Sequence, residues 1–513
     1  MAVEQSQQTK RGDTLLLAFL ALAMVAVELA VSGQYGYFRD ELYYLASTDH
    51  LALGYVDHPP LSIVLLALSR ALFGQSLLAL RLLPALAGGA TVFLGGRIAR
   101  EFGGGRFAQA VTALGLMLTA YLAIFHYYSM NAFDLLLWTL TAYLLLLALG
   151  HDRPRLWLAI GLVLGLAVLN KLSGLWLGAG IGVGLLLTRD RRVLATRWPW
   201  LAAAIVAALV APFVAWQVQH GWPTVEFMRN AREQKMVAVA PLQFFVQQAF
   251  MMNPFQAPIW IAGLLALLLA PGFRRWRLFA VIWLTVVAIL LLGRESKASY
   301  LAPAYPPLVA AGAVVFERFM ARRGWGWLKP ALIVVMLAGG AVLVPIAIPV
   351  LPPEAFIRYQ ERLGMRPPAE ERLRQSDLPQ QYADMFGWEE MVATVARVYR
   401  SLPPADRASC RIFAQNYGEA GAIDVLGPRY GLPKALSGHN SYWLWGRGTK
   451  PPDVFIIIGG DDRDNRGFFE EVTPADTIRS RYAMPYENDV PVYIARKPRV
   501  SLEAAWPRLR MYI

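Results

Sequence analysis

The sequence predicts an all-α polytopic membrane protein, N-terminus inside and C-terminus outside, that ends in a small α/β domain. Three observations carry this. Of 513 residues, 56% are hydrophobic and 17% charged, and the mean hydropathy is +0.39; an ordinary soluble domain has about 25% charged residues. Eleven apolar stretches approach the length that crosses a bilayer: 14–32, 79–99, 107–124, 132–149, 155–170, 172–188, 198–218, 257–272, 277–293, 300–319 and 329–350. A hydrocarbon core of about 30 Å needs roughly 20 such residues per helix. Every second connection is basic, as cytoplasmic loops are.

Taken in order, the polar start MAVEQSQQTKRG leads into an apolar run without a small-residue cleavage pattern, so the first span is expected to be retained. With that end inside, the inner loops hold Arg97, Arg100 and Arg106; Arg153 and Arg155; Arg189, Arg191, Arg192 and Arg197; Arg274, Arg275 and Arg277; and Arg318, Arg322, Arg323 and Lys329. Counting the apolar run from Pro59 to Phe73 as a span would turn those loops outward. It is expected instead as a helix on the outer surface, with Ser62, Ser69 and Arg70 on its polar side, and Glu41 to Thr48 is expected to behave likewise.

The outer side then holds the 33–78 loop, the turn from Tyr127 to Asp134, a long loop 219–256 and the turn from Arg294 to Tyr300. A transmembrane domain over 1–350 gives way at a proline-rich, charged stretch to an outside α/β domain over 351–513. There FGWEEMVATVARVYRSL has helical periodicity, while CRIFAQNY, DVFIIIGG and VPVYIARK are short apolar runs bounded by turn residues and are expected as strands. The net charge of +13 is spread over many short loops, which argues for topology and against nucleic-acid binding. One cysteine, Cys410, excludes an internal disulfide and a multi-cysteine metal site.

The residues that could carry chemistry gather in YGYFRDELYYLASTDHLALGYVDHPPL, from Tyr35 to Leu61. Charges beside a membrane span are costly unless solvated, paired or used. Asp40 and Glu41 are adjacent, about 100° apart on a helix, so one acts while the other braces. Asp40 is the candidate general base for an acceptor hydroxyl. Glu41 and Asp57 are candidates to orient that hydroxyl or a donor, the other reading of Glu41 being a pair with Arg39 or a loop arginine that fixes the loop. His58 precedes Pro59 and Pro60, which force the chain to turn. Arg39, Tyr44 and Tyr55 are further candidate substrate contacts.

Lys171 and Lys297 lie in outward turns, where a compact ammonium suits a phosphate, the alternative being that each amine only reaches for water. Tyr127, Tyr128 and Tyr300 suit a sugar face or an interfacial aromatic belt. In the tail, Asn416, His439, Asn440 and Trp443 are expected in an ordinary packed turn, acceptor contact being the alternative. No Walker loop, dinucleotide fingerprint or zinc spacing occurs, so no nucleotide cofactor is expected, and dependence on a divalent metal is left open. His126 and Asp134 are too loosely spaced to argue for a metal.

These motifs resemble the GT-C membrane glycosyltransferases, more narrowly the bacterial branch of the family 39 protein-mannosyltransferase-like enzymes and the family 83 enzymes related to the lipid A aminoarabinose transferase. The resemblance covers roughly residues 14–320 by topology and motif order. RDELYYLA corresponds to the family's Asp-Glu element, so Asp40 and Glu41 match its acidic pair. YVDHPPL lies where the transferase has a Phe-Glu-Lys-Pro element, so Asp57 matches the second carboxylate and His58 replaces the lysine. The donor-phosphate role of that lysine then falls to His58, Lys171 or Lys297. SKASYLAPAYPPL resembles the later outer turn that leads into a Tyr-Leu-Pro span.

The resemblance implies a sugar carried on polyprenyl phosphate, an acceptor in the membrane or periplasm (lipid A, glycan, lipid or protein), and an active site on the periplasmic face of the bacterial inner membrane. Two other classes fit a polytopic chain. A flippase or transporter would place charges in mid-span, and a ligase or polymerase would take long diphosphate-linked donors.

Overall fold

The computed structural model describes residues 2–293, 297–365, 374, 376–448 and 452–513. Arg294 to Ser296 of the expected outer turn, and 366–373 of the proline-rich stretch, lie outside the described residues. The chain forms two compact units. The first takes Met1–Ser32, Leu78–Ala215 and Ala238–Val350; the second takes Gly33–Leu77, Trp216–Val237 and Leu351–Ile513. The second unit thus joins the acidic loop and the short segment Trp216–Val237 to the tail.

In chain order the helices begin with α1 (Ala2–Ala30), α2 (Arg39–Ser47), α3 (Leu61–Phe73), α4 (Leu77–Glu101), α5 (Arg106–Met117) and α6 (Ala123–His126). There follow α7 (Met130–Gly150), α8 (Leu156–Asn170), α9 (Gly174–Leu187), α10 (Trp198–Gln219), α11 (Pro223–Asn230) and α12 (Pro241–Met251). Next come α13 (Ala257–Leu269), α14 (Arg277–Gly293), α15 (Pro306–Arg323) and α16 (Leu328–Ala347). Nine of the eleven expected spans each fall on one helix, while 107–124 and 300–319 fall on helix pairs bent by 67° and 62°. Among the described residues six helices are long and apolar enough to cross a membrane, or up to nine if each of three bent pairs counts as one span. The long loop expected over 219–256 is instead largely helical, built from α11, a π-helical turn (Ala231–Lys235) and α12.

The first unit is all helix, and its tightest packing is between α13 and α15. A Cβ on Gly263 would fall on the carbonyl oxygen of Leu308, and one on Gly312 on that of Ile259, so the two backbones touch where side chains would otherwise stand. A buried Gln248 on α12 ties three further segments together. Its Oε1 accepts from the hydroxyls of Tyr121 at 3.0 Å and Tyr305 at 3.1 Å, and its Nε2 donates to the Ala298 carbonyl at 2.8 Å.

In the second unit two sequence expectations reverse. The expected surface helix 41–48 is α2, whose residues Glu41 to Ser47 are all buried. α3 turns its faces the other way: Ser62 and Ser69 are buried while Val64, Leu68 and Leu72 are exposed. These three are spaced by four and form one apolar stripe. The small serines let α3 pack closely against protein, and the branched residues face outward.

The tail continues with α17 (Pro353–Arg362), α18 (Gln380–Ala383), α19 (Trp388–Ser401), α20 (Pro404–Ser409), α21 (Tyr417–Leu426) and α22 (Ser441–Trp445). Its strands are β1 (Cys410–Phe413), β2 (Ala435–Leu436), β3 (Val454–Ile458), β4 (Phe469–Ile478) and β5 (Val490–Pro498), in sheet order β2-β1-β3-β5-β4. β1 runs parallel to β2 and β3, while β5 is antiparallel to β3 and β4. All five residues of β3 are buried, as suits a central strand covered on both faces. β4 escaped the sequence reading because Pro474 and five acidic or threonine positions break its apolar alternation. Its irregular register at Pro474/Asp476 accommodates that proline.

Replacing Gly312 by Val should destabilise the first unit by about 1–3 kcal/mol or more, because backbone faces the new side chain. Gly182→Ala, where a Cβ meets nothing within 4 Å, should leave the unfolding midpoint in detergent unchanged or raise it.

Candidate active site

α2 begins where Phe38 is extended, at φ −70° and ψ 143°, and the Glu41 carboxylate reaches back to accept the Phe38 N–H at 2.9 Å. This backward cap satisfies a donor that the helix start leaves without a partner. Glu41 is fully buried. It braces α2, and its neighbour Asp40 points elsewhere, with 35% of its side chain exposed.

Asp40 Oδ1 accepts a hydrogen bond from the Tyr417 hydroxyl at 2.9 Å, and Arg39 Nε lies 3.7 Å away. Asp57 Oδ1 accepts from the Tyr43 hydroxyl at 2.8 Å, with 17% of the Asp57 side chain exposed. Burial, opposed by His58 and the Tyr43 hydrogen bond, raises the Asp57 carboxyl above its ordinary range. The two tyrosine rings lie against each other, centroids 4.8 Å apart. Each carboxylate is therefore held by one oxygen, and the two holders brace one another. Tyr43 is itself fixed: its oxygen accepts the Ser441 N–H at 3.3 Å, and Ser441 Oγ accepts the Val56 N–H at 3.1 Å beside Asp57.

Tyr417 arrives from the tail on α21. Asn416 caps that helix, its Oδ1 accepting from Gly418 N–H at 2.8 Å and Glu419 N–H at 3.0 Å. Two glycines let α21 lie on α2. A Cβ at Gly421 would come within 2.8 Å of the Leu42 carbonyl carbon, and one at Gly418 within 2.5 Å of Arg39 Cγ. His439 Nδ1 accepts the Tyr417 N–H at 3.3 Å while its Nε2 donates to the Ile513 carbonyl at 2.7 Å. Burial pushes this imidazole down to about 3, so it stays neutral in that tautomer.

Arg39 is clamped. Its guanidinium donates to Tyr486 Oη at 2.6 Å, approaches Asp384 Oδ2 at 3.8 Å and lies 5.3 Å from the Tyr417 ring centre. It serves the frame around Asp40. His58 is 1% exposed. Its Nδ1 donates to the Pro59 carbonyl at 3.0 Å, and its ring is stacked at 4.9 Å on Tyr44 and 4.8 Å from Tyr55. The expectation of a phosphate-binding histidine meets a ring packed among aromatics, because Pro59 and Pro60 turn it inward. Tyr44 and Tyr55 are buried with it.

In the first unit Lys171 stands at the C-terminal end of α8. Its ammonium donates to Asn131 Oδ1 at 2.7 Å, lies 3.7 Å from Asp134 Oδ2 and sits 4.9 Å from the Tyr300 ring centre. Ser173 donates to Asp134 Oδ1 at 2.7 Å. Lys171 and Tyr300 are thus brought together, and Asp134 is the counter-ion of Lys171. His126 joins a buried chain: Nδ1 lies 3.2 Å from Glu28 Oε2 and Nε2 3.4 Å from Arg81, which donates to the Ser32 carbonyl at 2.6 Å. Lys297 is half-buried at the start of the turn Ala298–Ala304. Tyr128 is fully buried against Phe133, and Tyr127 is half-buried. Asn440 and Trp443 hold the tail's end, Asn440 Nδ2 donating to Ile513 O at 3.2 Å and Trp443 Nε1 to Trp506 O at 3.0 Å.

Sequence reasoning missed Tyr43, Tyr417, Ser441 and Asp384. Tyr43 lay inside the motif, one turn of helix after Asp40. Tyr417 is 377 residues from its partner and carried no local signal. Among the described residues no group of three or more His, Cys, Asp or Glu is arranged to hold a metal ion.

The chain as a whole superposes on ArnT from Cupriavidus metallidurans bound to undecaprenyl phosphate with a TM-score of 0.60, at 14% identity, over 94% of this chain and 98% of that one. The chain has the GT-C fold. ArnT in the apo state matches at a TM-score of 0.59 and 15% identity, again over 94% and 98% of the two chains. The Archaeoglobus fulgidus oligosaccharyltransferase tethered with an acceptor peptide matches at 0.51 and 13% identity, over 84% of this chain and 64% of that one. Residues 57–216 match the family described as dolichyl-phosphate-mannose-protein mannosyltransferase. No curated protein matches the sequence.

Behind the Asp40 frame lie two buried acids. Burial raises Glu419 from 4.5 to about 7, and burial together with Glu419 raises Glu487. Between 4.5 and about 7 the folded state therefore binds more protons than the unfolded chain, and stability falls as pH rises through that window. The protein should unfold at a lower temperature at pH 7.5 than at pH 5. Glu419→Gln, which keeps the shape without the charge, should flatten that slope, worth up to about 3 kcal/mol.

Proposed function

We infer that the chain is an integral-membrane glycosyltransferase that moves a sugar from a polyprenyl-phosphate carrier to an acceptor hydroxyl on the periplasmic face of the bacterial inner membrane. The observation that carries this reading is the pair Asp40 and Asp57, each anchored through Oδ1 by a tyrosine hydroxyl and each partly exposed. A carboxylate oriented by one oxygen keeps the other for substrate, which is the geometry a general base needs. The GT-C fold and the partial family match support glycosyl transfer, and the undecaprenyl phosphate on the structurally similar ArnT supports the donor class.

In this reading Asp40 takes the proton from the acceptor hydroxyl as its oxygen attacks the anomeric carbon. The bond from that carbon to the phosphate oxygen breaks, and polyprenyl phosphate leaves with the electron pair. A single displacement inverts the anomeric centre. Asp57 orients the incoming sugar or hydroxyl, and Glu41 keeps α2 in place. Lys171, held by Asn131 and Asp134, and Lys297 are assigned to the departing phosphate, where charge develops. His58, packed against Tyr44 and Tyr55, is assigned to shaping the loop.

The test is release of free polyprenyl phosphate by purified protein from a panel of polyprenyl-phosphate monosaccharides, with an envelope lipid and glycan extract as acceptor. Asp40→Asn should lower release about 10²–10⁴-fold. Tyr417→Phe should lower kcat about ten-fold with KM little changed, since a hydrogen bond to a charged group is worth about 1.5 kcal/mol or more. Asp40→Asn turning over within a few-fold of wild type would refute the base assignment. Uptake of the lipid-linked sugar into proteoliposomes without release would point to a transporter.

A further inference from the structure

Far along the sequence from these residues, the first unit has an open cavity of about 480 Å³ lined by two cations, one acid and three apolar residues. It is walled by Leu16 of α1, Arg106, Phe107 and Ala110 of α5, Glu317 of α15 and Lys329 of α16. The single acid in the lining is already committed. Glu317 Oε2 accepts the Gly105 N–H at 2.6 Å and Oε1 the Ala108 N–H at 3.2 Å, so it caps the start of α5 from a neighbouring helix.

The two cations are not committed in that way. Among the described residues the Arg106 side chain makes no hydrogen bond or ion pair, and the Lys329 ammonium has only its approach to the Phe107 ring, 5.5 Å from the centroid. A nearby acid, Asp13, is buried and receives Gln109 Nε2 at 3.3 Å. The positive end of α5 adds to the field at the mouth. Exposed Trp325 and Trp327, next to Arg322 and Arg323, are the mixture of residues found where a membrane's polar and apolar zones meet.

We propose that this cavity binds an anionic phospholipid, its phosphate between Arg106 and Lys329 and an acyl chain along Leu16, Phe107 and Ala110. A phosphate with an attached hydrocarbon matches both the cations and the apolar residues of the lining. Free phosphate would use only the cations, and a zwitterionic headgroup would bring its own ammonium against them. The lining shares no residue with those assigned to sugar transfer, so its test needs no substrate.

The full-length protein, purified in a neutral detergent, is titrated with phosphatidylglycerol, and retained lipid is read by native mass spectrometry alongside the unfolding midpoint. Wild type should retain phosphatidylglycerol in preference to phosphatidylcholine and gain midpoint with it. Arg106→Gln/Lys329→Gln should bind it about 25-fold more weakly, about five-fold for each charge removed. Arg106→Lys/Lys329→Arg should keep most of the binding, which separates loss of charge from loss of fold. Arg191→Gln/Arg192→Gln, on an exposed basic turn, should behave as wild type. Equal retention by wild type and the double glutamine variant would overturn the proposal. Inorganic phosphate competing as well as phosphatidylglycerol would overturn it too, in favour of a free-anion site.

Discussion

The second unit depends on one buried phenol. Tyr43 donates to Asp57, accepts from the Ser441 N–H, and lies face against Tyr417, whose hydroxyl holds Asp40. Burial and the neighbouring Asp57 raise its ionisation well above the ordinary tyrosine range, so it remains a donor whenever the protein is folded. A hydrogen bond to a carboxylate is stronger away from bulk water, and it is short and directional. Three stretches distant in sequence, 40–43, 57 and 417–441, are locked to each other through it. The tail is accordingly a working part of the unit that carries the acidic pair.

That dependence explains the packing around it. Gly418 and Gly421 stand where α21 lies on α2: a side chain at Gly421 would meet the backbone of Leu42 and Tyr43, and one at Gly418 the side chains of Arg39 and Trp388. Asn416 starts α21 and also donates to Glu487 Oε1 at 2.9 Å, so the buried acids behind the site are tied to the same helix start. Arg39 supplies the positive charge that makes such a concentration of carboxylates tolerable, reaching Asp384 and standing beside Asp40.

Much of the fold was legible because membrane spans obey a length rule and a charge rule that single sequences display. The helices, the basic loops and three of the five tail strands all follow from local pattern. The orientation of α3 did not, since its serines were read as a polar surface when they are the small residues that permit contact. Asp40, Glu41 and Asp57 stood out because charges beside a span require a reason. Their holders did not stand out: Tyr417 and Ser441 come from the tail, and no local periodicity marks a tyrosine that will donate to an acid hundreds of residues earlier. His58 was readable as a substitution in a motif, but its burial depends on the aromatic cluster of Tyr44 and Tyr55, which only the folded chain reveals.

The measurement that bears most directly on the transfer chemistry is the anomeric configuration of the product, read by proton NMR from a donor of known configuration. Attack by an acceptor hydroxyl activated at Asp40 is one displacement and yields inversion. Retention would contradict it, since it would require a sugar bound covalently to one of the carboxylates before the acceptor arrives.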